Sequence, residues 1–132
     1  MTDGENPRAA KAAPEAEEPA IDWAYLSRQT MGDVALEAEL LALFETQAAE
    51  FCGKLAAAAS DKARLDLVHT LKGAARAIGA FALGDAAEDY EAAPAEARDT
   101  RARDIGARDT QARLEARLGE ARQAIFARLE RR

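Results

Sequence analysis

The chain holds one cysteine, Cys52, and one histidine, His69, in 132 residues. A lone cysteine excludes an internal disulfide and withholds the thiolate pairs that a structural zinc needs, and a single histidine without those thiols lacks companions for any metal site. Aromatic residues make up 5% of the chain and β-branched residues are scarce. Ala, Leu, Glu and Arg dominate instead, which is the composition of helices and not of sheets. No apolar run approaches the roughly 20 residues of a membrane span, and the residues after Met1 are polar and charged, unlike the core of a signal peptide. Glycine-rich nucleotide loops, Walker sequences and kinase signatures are missing, so ATP is not expected to bind. A soluble protein of the reducing cytoplasm is expected, without cofactor or metal of its own.

What is present suits one domain: 48% of residues are hydrophobic and 32% charged, a globular balance at this length. The 24 acidic residues outnumber the 18 basic ones, giving a formal charge of −6. That balance argues against a partner bound through phosphate neutralisation, and no nucleic acid is expected. The Arg-rich C-terminal third is interleaved with Asp99, Asp104, Asp109, Glu115 and Glu120, the pattern of a solvated, salt-bridged helix face.

Residues 1–20 contain Gly4, Pro7, Pro14 and Pro19 without apolar periodicity, and read as a flexible tail; residues 21–132 read as a helical bundle. Asp22 can cap a short helix bearing Trp23, Tyr25 and Leu26, broken at Met31-Gly32-Asp33. Asp33 can cap a long helix on which Leu36, Leu40, Leu43, Phe44, Phe51 and Leu55 recur at spacings of three and four. Ser60 or Asp61 can cap the next, with Val68, Leu71, Ala75 and Ile78 as its inward stripe and Gly79 as its left-handed stop. Phe81, Leu83, Ala86, Ala87 and Tyr90 suggest a fourth helix, limited or kinked by Pro94. From Arg98 to Asp109 the pattern Arg-Asp-Thr, Arg-Asp-Ile, Arg-Asp-Thr repeats every five residues, which fits neither helix nor strand and predicts a polar connection. Leu114, Leu118, Ala121, Ile125 and Leu129 mark a last amphipathic helix. The economical architecture is all-α: an antiparallel four-helix bundle with a short N-terminal helix over one end. A monomer is expected, because the last helix satisfies its single apolar stripe within its own bundle.

The chemistry concentrates on the third helix, where offsets of three, four and seven bring Lys72, Gly73 and Arg76 onto the face of His69. Near neutral pH an imidazole offers a nitrogen lone pair for attack on a phosphoryl group. Lys72, one turn away, can hold the negative charge of that group, with Arg76 as a more distant cation. Gly73 costs on the order of 1 kcal/mol relative to alanine in a helix interior, so it asks for a reason: clearance for a visiting domain, or tight packing of one helix on another. Leu65, one turn before His69, is an apolar residue suited to a docking surface or to the edge of the core. One histidine with no orienting aspartate or activated serine offers little to an enzyme acting on small substrates.

His69-Thr70-Leu71-Lys72-Gly73, followed by Ala75 and Gly79, resembles the motif of histidine-containing phosphotransfer (HPt) domains of bacterial phosphorelays. The stretches Ile21-Asp22-Trp23 to Leu26 and Gly32-Asp33 to Phe44 are similar to that family's opening helices. The resemblance implies a phosphoryl carrier without kinase activity, phosphorylated on His69 at Nε2, with Lys72 stabilising the phosphate and Gly73 giving a receiver domain clearance. Its partners would be response-regulator receiver domains and a hybrid histidine kinase, with the magnesium ion and reactive aspartate belonging to the receiver. Leu65, Arg76 and Gly79 are expected on the partner-facing surface. Many members carry a glutamine near the imidazole on the following helix. The corresponding residue here is Glu91, which can orient the ring through Nδ1 but would also repel a phosphoryl group that came too near. The competing reading keeps the bundle as a scaffold that binds or sequesters response regulators without phosphorylation.

Overall fold

The computed structural model describes residues 18–98 and 105–131. These form six helices and no strand: α1 (Trp23–Gln29), α2 (Val34–Ala57), α3 (Asp61–Ala77), α4 (Phe81–Ala92), α5 (Ala95–Arg98) and α6 (Ile105–Glu130). The first three start at side-chain caps, each satisfying an amide that the helix leaves orphaned, for about 1 kcal/mol apiece. Asp22 accepts from the Tyr25 amide at 3.0 Å, Asp33 from that of Leu36 at 3.0 Å, and Ser60 from that of Ala63 at 3.1 Å. Between α1 and α2 the chain turns through Met31 (φ 53°) and Gly32 (φ 74°). Ala93, extended at ψ 155° as the ring of Pro94 requires of the residue before it, ends α4.

Helices α2, α3, α4 and α6 pack as a ring in which each touches the next and α6 closes on α2. The cross-links show the antiparallel sense: Glu37 and Glu45 on α2 meet Arg128 and Arg122 on α6, one index rising as the other falls. Inside lie Leu41, Phe44, Ala48, Phe51 and Leu55 from α2, and Val68, Leu71, Ala75 and Ile78 at the expected positions of α3. Leu83, Ala86, Ala87 and Tyr90 of α4 and Leu114, Leu118, Ala121 and Ile125 of α6 complete the core. α1 covers one end, where the Asp22 amide donates to the Gly79 carbonyl at 2.9 Å and Tyr25 meets Phe81 edge to face.

Three expectations need correction. On α2 the stripe runs through Leu41, while Leu36 and Leu43 are 37% and 68% exposed. Counting seven back from Phe44 places not a leucine but Glu37 inside, 4% exposed, where Arg128 reaches it at 3.0 Å. The predicted connection from Arg98 to Asp109 is helical from Ile105 onward, since Ala, Arg and Gln extend a helix that the later apolar stripe anchors. Arg98 is no linker residue either: it is 7% exposed and grips both carboxylate oxygens of Asp61 at 2.8 and 2.7 Å. Residues 99–104 lie outside the described residues, as does the expected tail up to residue 17; Ile21, where the bundle was expected to start, is buried. No helix among the described residues is long and apolar enough to cross a membrane.

Candidate functional site

Because α3 turns its inward stripe to the core, the opposite face carries His69 into solvent, its side chain 73% exposed. Glu91 stands opposite, at the end of the antiparallel α4. Its Oε2 lies 2.9 Å from His69 Nδ1 and its Oε1 2.5 Å from Lys72 Nζ. An ionised carboxylate only accepts hydrogen bonds, so Nδ1 carries the hydrogen and, in the neutral ring, Nε2 keeps the lone pair on the open side. Burial pushes Glu91 toward the protonated form, but the hydrogen bonds and charges of Lys72 and His69 outweigh it and hold the carboxyl below its ordinary value.

Both cations of the face are engaged by carboxylates of α4. Lys72 is half-buried and engaged with Glu91. Arg76 reaches Glu88 at 2.6 Å and Asp85 at 3.5 Å, and its hydrogen bond and charge hold Glu88 below the usual carboxylate range. Asp85, Glu88 and Glu91 recur every three residues on α4 and face the cations of α3, Asp85 and Glu88 sharing Arg76 and Glu91 taking Lys72. That spacing is visible in the sequence and was the signal for Asp85 and Glu88. Gly84 belongs with them: a Cβ there would lie 2.8 Å from Arg76 Cγ, so the missing side chain is the groove in which Arg76 lies.

The remaining sequence-selected residues divide by burial. A Cβ on Gly73 would meet no atom of the described residues within 4 Å, which removes helix packing as the reason for this glycine. Leu65 is half-buried and not a member of the core. Gly79 is buried and does not belong to a partner-facing surface: its φ is +88° and a Cβ would stand 2.9 Å from the Asp22 carbonyl, so it serves the α3–α4 turn and the docking of α1. Sequence reasoning missed a groove of about 580 Å³ between α2 and α3, lined by Gln47, Phe51 and Lys54 on one side and Ala63, Asp66, Leu67 and Thr70 on the other. The exposed Leu36 and Leu43 share the α2 edge with Gln47 and Lys54, at offsets of seven, four and seven. Gly73 continues the row of Ala63, Asp66 and Thr70 on α3. Among the described residues no cluster of His, Cys, Asp and Glu could hold a metal ion.

Comparison with known proteins gives two findings. The family model described as Hpt domain matches residues 39–126. Among solved structures, the crystal structure of histidine phosphotransferase ShpA from Caulobacter crescentus is 36% identical with a TM-score of 0.50, covering 83% of this chain and 98% of that one. No curated protein matches the chain.

Proposed function

Because the chain belongs to the Hpt domain family, whose members carry phosphoryl groups in phosphorelays, we propose that it takes a phosphoryl group on His69 from a receiver-domain aspartate and passes it to another receiver. The observation that carries this reading is the exposed imidazole whose Nδ1 is held by Glu91, leaving Nε2 as the nitrogen open to attack. The receiver brings the magnesium ion and the aspartyl phosphate, and this chain brings the nucleophile and the surface. As phosphorus reaches Nε2, Lys72 Nζ exchanges its bond to Glu91 for one to the arriving oxygens, a short swing for an ammonium on a flexible stem.

The receiver settles against the α2–α3 side of the helix, where Gly73 gives clearance and the groove with exposed Leu43 offers apolar contact. Leu65 and Arg76 form the opposite margin of the same surface. The chain acts as a carrier without kinase activity of its own, as a cytoplasmic monomer that also meets a hybrid histidine kinase.

Incubation with a phosphorylated receiver domain and magnesium tests the reading. Label is expected on the wild-type protein and not on His69→Gln, whose exposed position keeps the change in stability within about 0.5 kcal/mol. Equal label on both proteins overturns the assignment of His69. Binding without label on either favours the scaffold reading.

A further inference from the structure

On the reading that His69 Nε2 carries the phosphoryl group, we propose that Glu91 is a positioning residue that keeps a proton on Nδ1 of the phosphorylated ring, making this protein a fast and short-lived phosphoryl donor. The geometry that carries the inference is the carboxylate oxygen 2.9 Å from Nδ1, with its twin 2.5 Å from Lys72 Nζ.

Once Nε2 bears phosphorus, Nδ1 is the ring's one remaining site for a proton. Without that proton its lone pair would face a carboxylate oxygen at hydrogen-bond distance, two acceptors with nothing between them. Retaining the proton turns the same contact into a charge-assisted hydrogen bond. An amide side chain at this place would serve either state, since it both donates and accepts; a carboxylate serves only the protonated one. The other charged groups facing the ring leave this balance in place. On α3, Lys72 is tied to Glu91 before transfer and turns to the phosphoryl oxygens after it, leaving the carboxylate to Nδ1, and Arg76 is tied to Glu88 and Asp85; on α4, Glu88 and Asp85 are engaged by Arg76.

In the transfer step the Nε2–P bond breaks and its electron pair returns to Nε2, while a receiver carboxylate oxygen forms the new O–P bond. With Nδ1 protonated, the ring departs as neutral imidazole and no proton has to be delivered. A bare Nδ1 would force it to depart as an imidazolate anion, a much poorer leaving group. Loading runs the same step backwards with the same tautomer, so the Nδ1 proton stays in place in both directions.

The test loads the full chain with phosphoramidate, a small-molecule phosphoryl donor, and follows phosphohistidine by phosphorus NMR from pH 6 to 9, alone and after addition of a receiver domain with magnesium. Wild type is expected to lose its phosphoryl group at a rate nearly flat from pH 6 to 8. Glu91→Gln should match it at pH 6 and be about ten-fold slower or more at pH 8, where an imidazole of ordinary basicity is almost fully deprotonated. Glu91→Asp, which keeps the carboxylate, should return toward the wild-type profile, and the nitrogen-15 shift of Nδ1 should report a protonated ring at pH 8 in wild type but not in Glu91→Gln. Equal or shorter lifetimes for Glu91→Gln at pH 8, with His69 loaded in both proteins, overturn the inference and leave the carrier reading standing. Failure of wild type to form phosphohistidine from phosphoramidate and from a phosphorylated receiver domain overturns both.

Discussion

Two opposite seams of the bundle, α2–α6 and α3–α4, are both closed by ion pairs, yet they are built from different cations. Where α2 meets α6 the cations are arginines: Arg122 donates through Nε and Nη2 to both oxygens of Glu45, at 2.7 to 3.1 Å, and Arg128 grips Glu37 while its guanidinium lies 4.5 Å over the ring of Trp23. Where α3 meets α4 a single carboxylate, Glu91, is divided between a lysine and an imidazole. A planar guanidinium that is always charged and fits a carboxylate in two places holds on; an ammonium is a point charge that changes partner easily, and an imidazole can gain or lose a proton. The first seam is built to stay shut and the second to exchange partners. Within α3–α4 the same division recurs, because Arg76, the arginine of that face, is clasped by Glu88 and Asp85 and bedded over Gly84.

The largest stability effect should come from the closed seam. Arg128→Ala withdraws the guanidinium from a carboxylate that is 4% exposed, and should cost about 3 kcal/mol by the usual penalty for breaking a buried pair from one side. Replacing both partners with apolar residues, as in Glu37→Leu with Arg128→Met, should recover most of that loss. Denaturant unfolding measures both, and phosphoryl uptake per folded molecule should be unchanged. Arg128→Ala losing uptake in proportion beyond its unfolded fraction would show that the seams are coupled rather than separate.

A smaller effect is expected at the start of α3, the helix that carries His69. There Arg98 holds Asp61 through two hydrogen bonds, and this hydrogen bonding, with the arginine charge, keeps the Asp61 carboxyl below its ordinary value. A depressed carboxylate contributes stability that is complete above its unfolded value, near 3.9, and disappears as pH falls through the lower folded value. Asp61→Asn should therefore cost about 1–2 kcal/mol at pH 7, and the gap to wild type should narrow as the pH drops below about 4. A gap that stays constant from pH 7 to 2 would mean that the pair contributes through shape and not through charge.

What could be read beforehand was local. Asp22, Asp33 and Ser60 cap helices because a short polar side chain just before an apolar-periodic run satisfies orphan amides, and Gly79 stops α3 because it alone accepts the required φ without strain. The inward stripe of α3 was legible because its outward face is polar. α2 was harder: Leu36, Leu40, Leu41 and Leu43 spread over an arc of about 160°, wider than one buried stripe, so periodicity alone does not say which leucines go in. The reason Glu37 goes in lies 91 residues away, at Arg128. The chemistry of the site divides in the same manner. His69, Lys72 and Gly73 were visible as one face of one helix, whereas the engagement of Lys72 by Glu91 spans 19 residues and two helices.

The smallest expected effect on stability bears most directly on the open seam. Within a helix, glycine is about 1 kcal/mol worse than alanine, and a Cβ on Gly73 meets no described atom within 4 Å. Gly73→Ala should therefore stabilise the isolated protein by about 0.5–1 kcal/mol in denaturant unfolding. A larger side chain, as in Gly73→Trp, should be tolerated by the fold for the same reason, yet should slow transfer from a phosphorylated receiver about ten-fold or more, a loss of roughly 1.4 kcal/mol in the barrier. Phosphoramidate, too small to need the clearance, should still load His69 in that variant. If Gly73→Trp exchanged phosphoryl groups with a receiver as fast as wild type, the bare backbone beside the imidazole would have no part in docking, and the α3 face would be open to solvent for a reason other than a visiting domain.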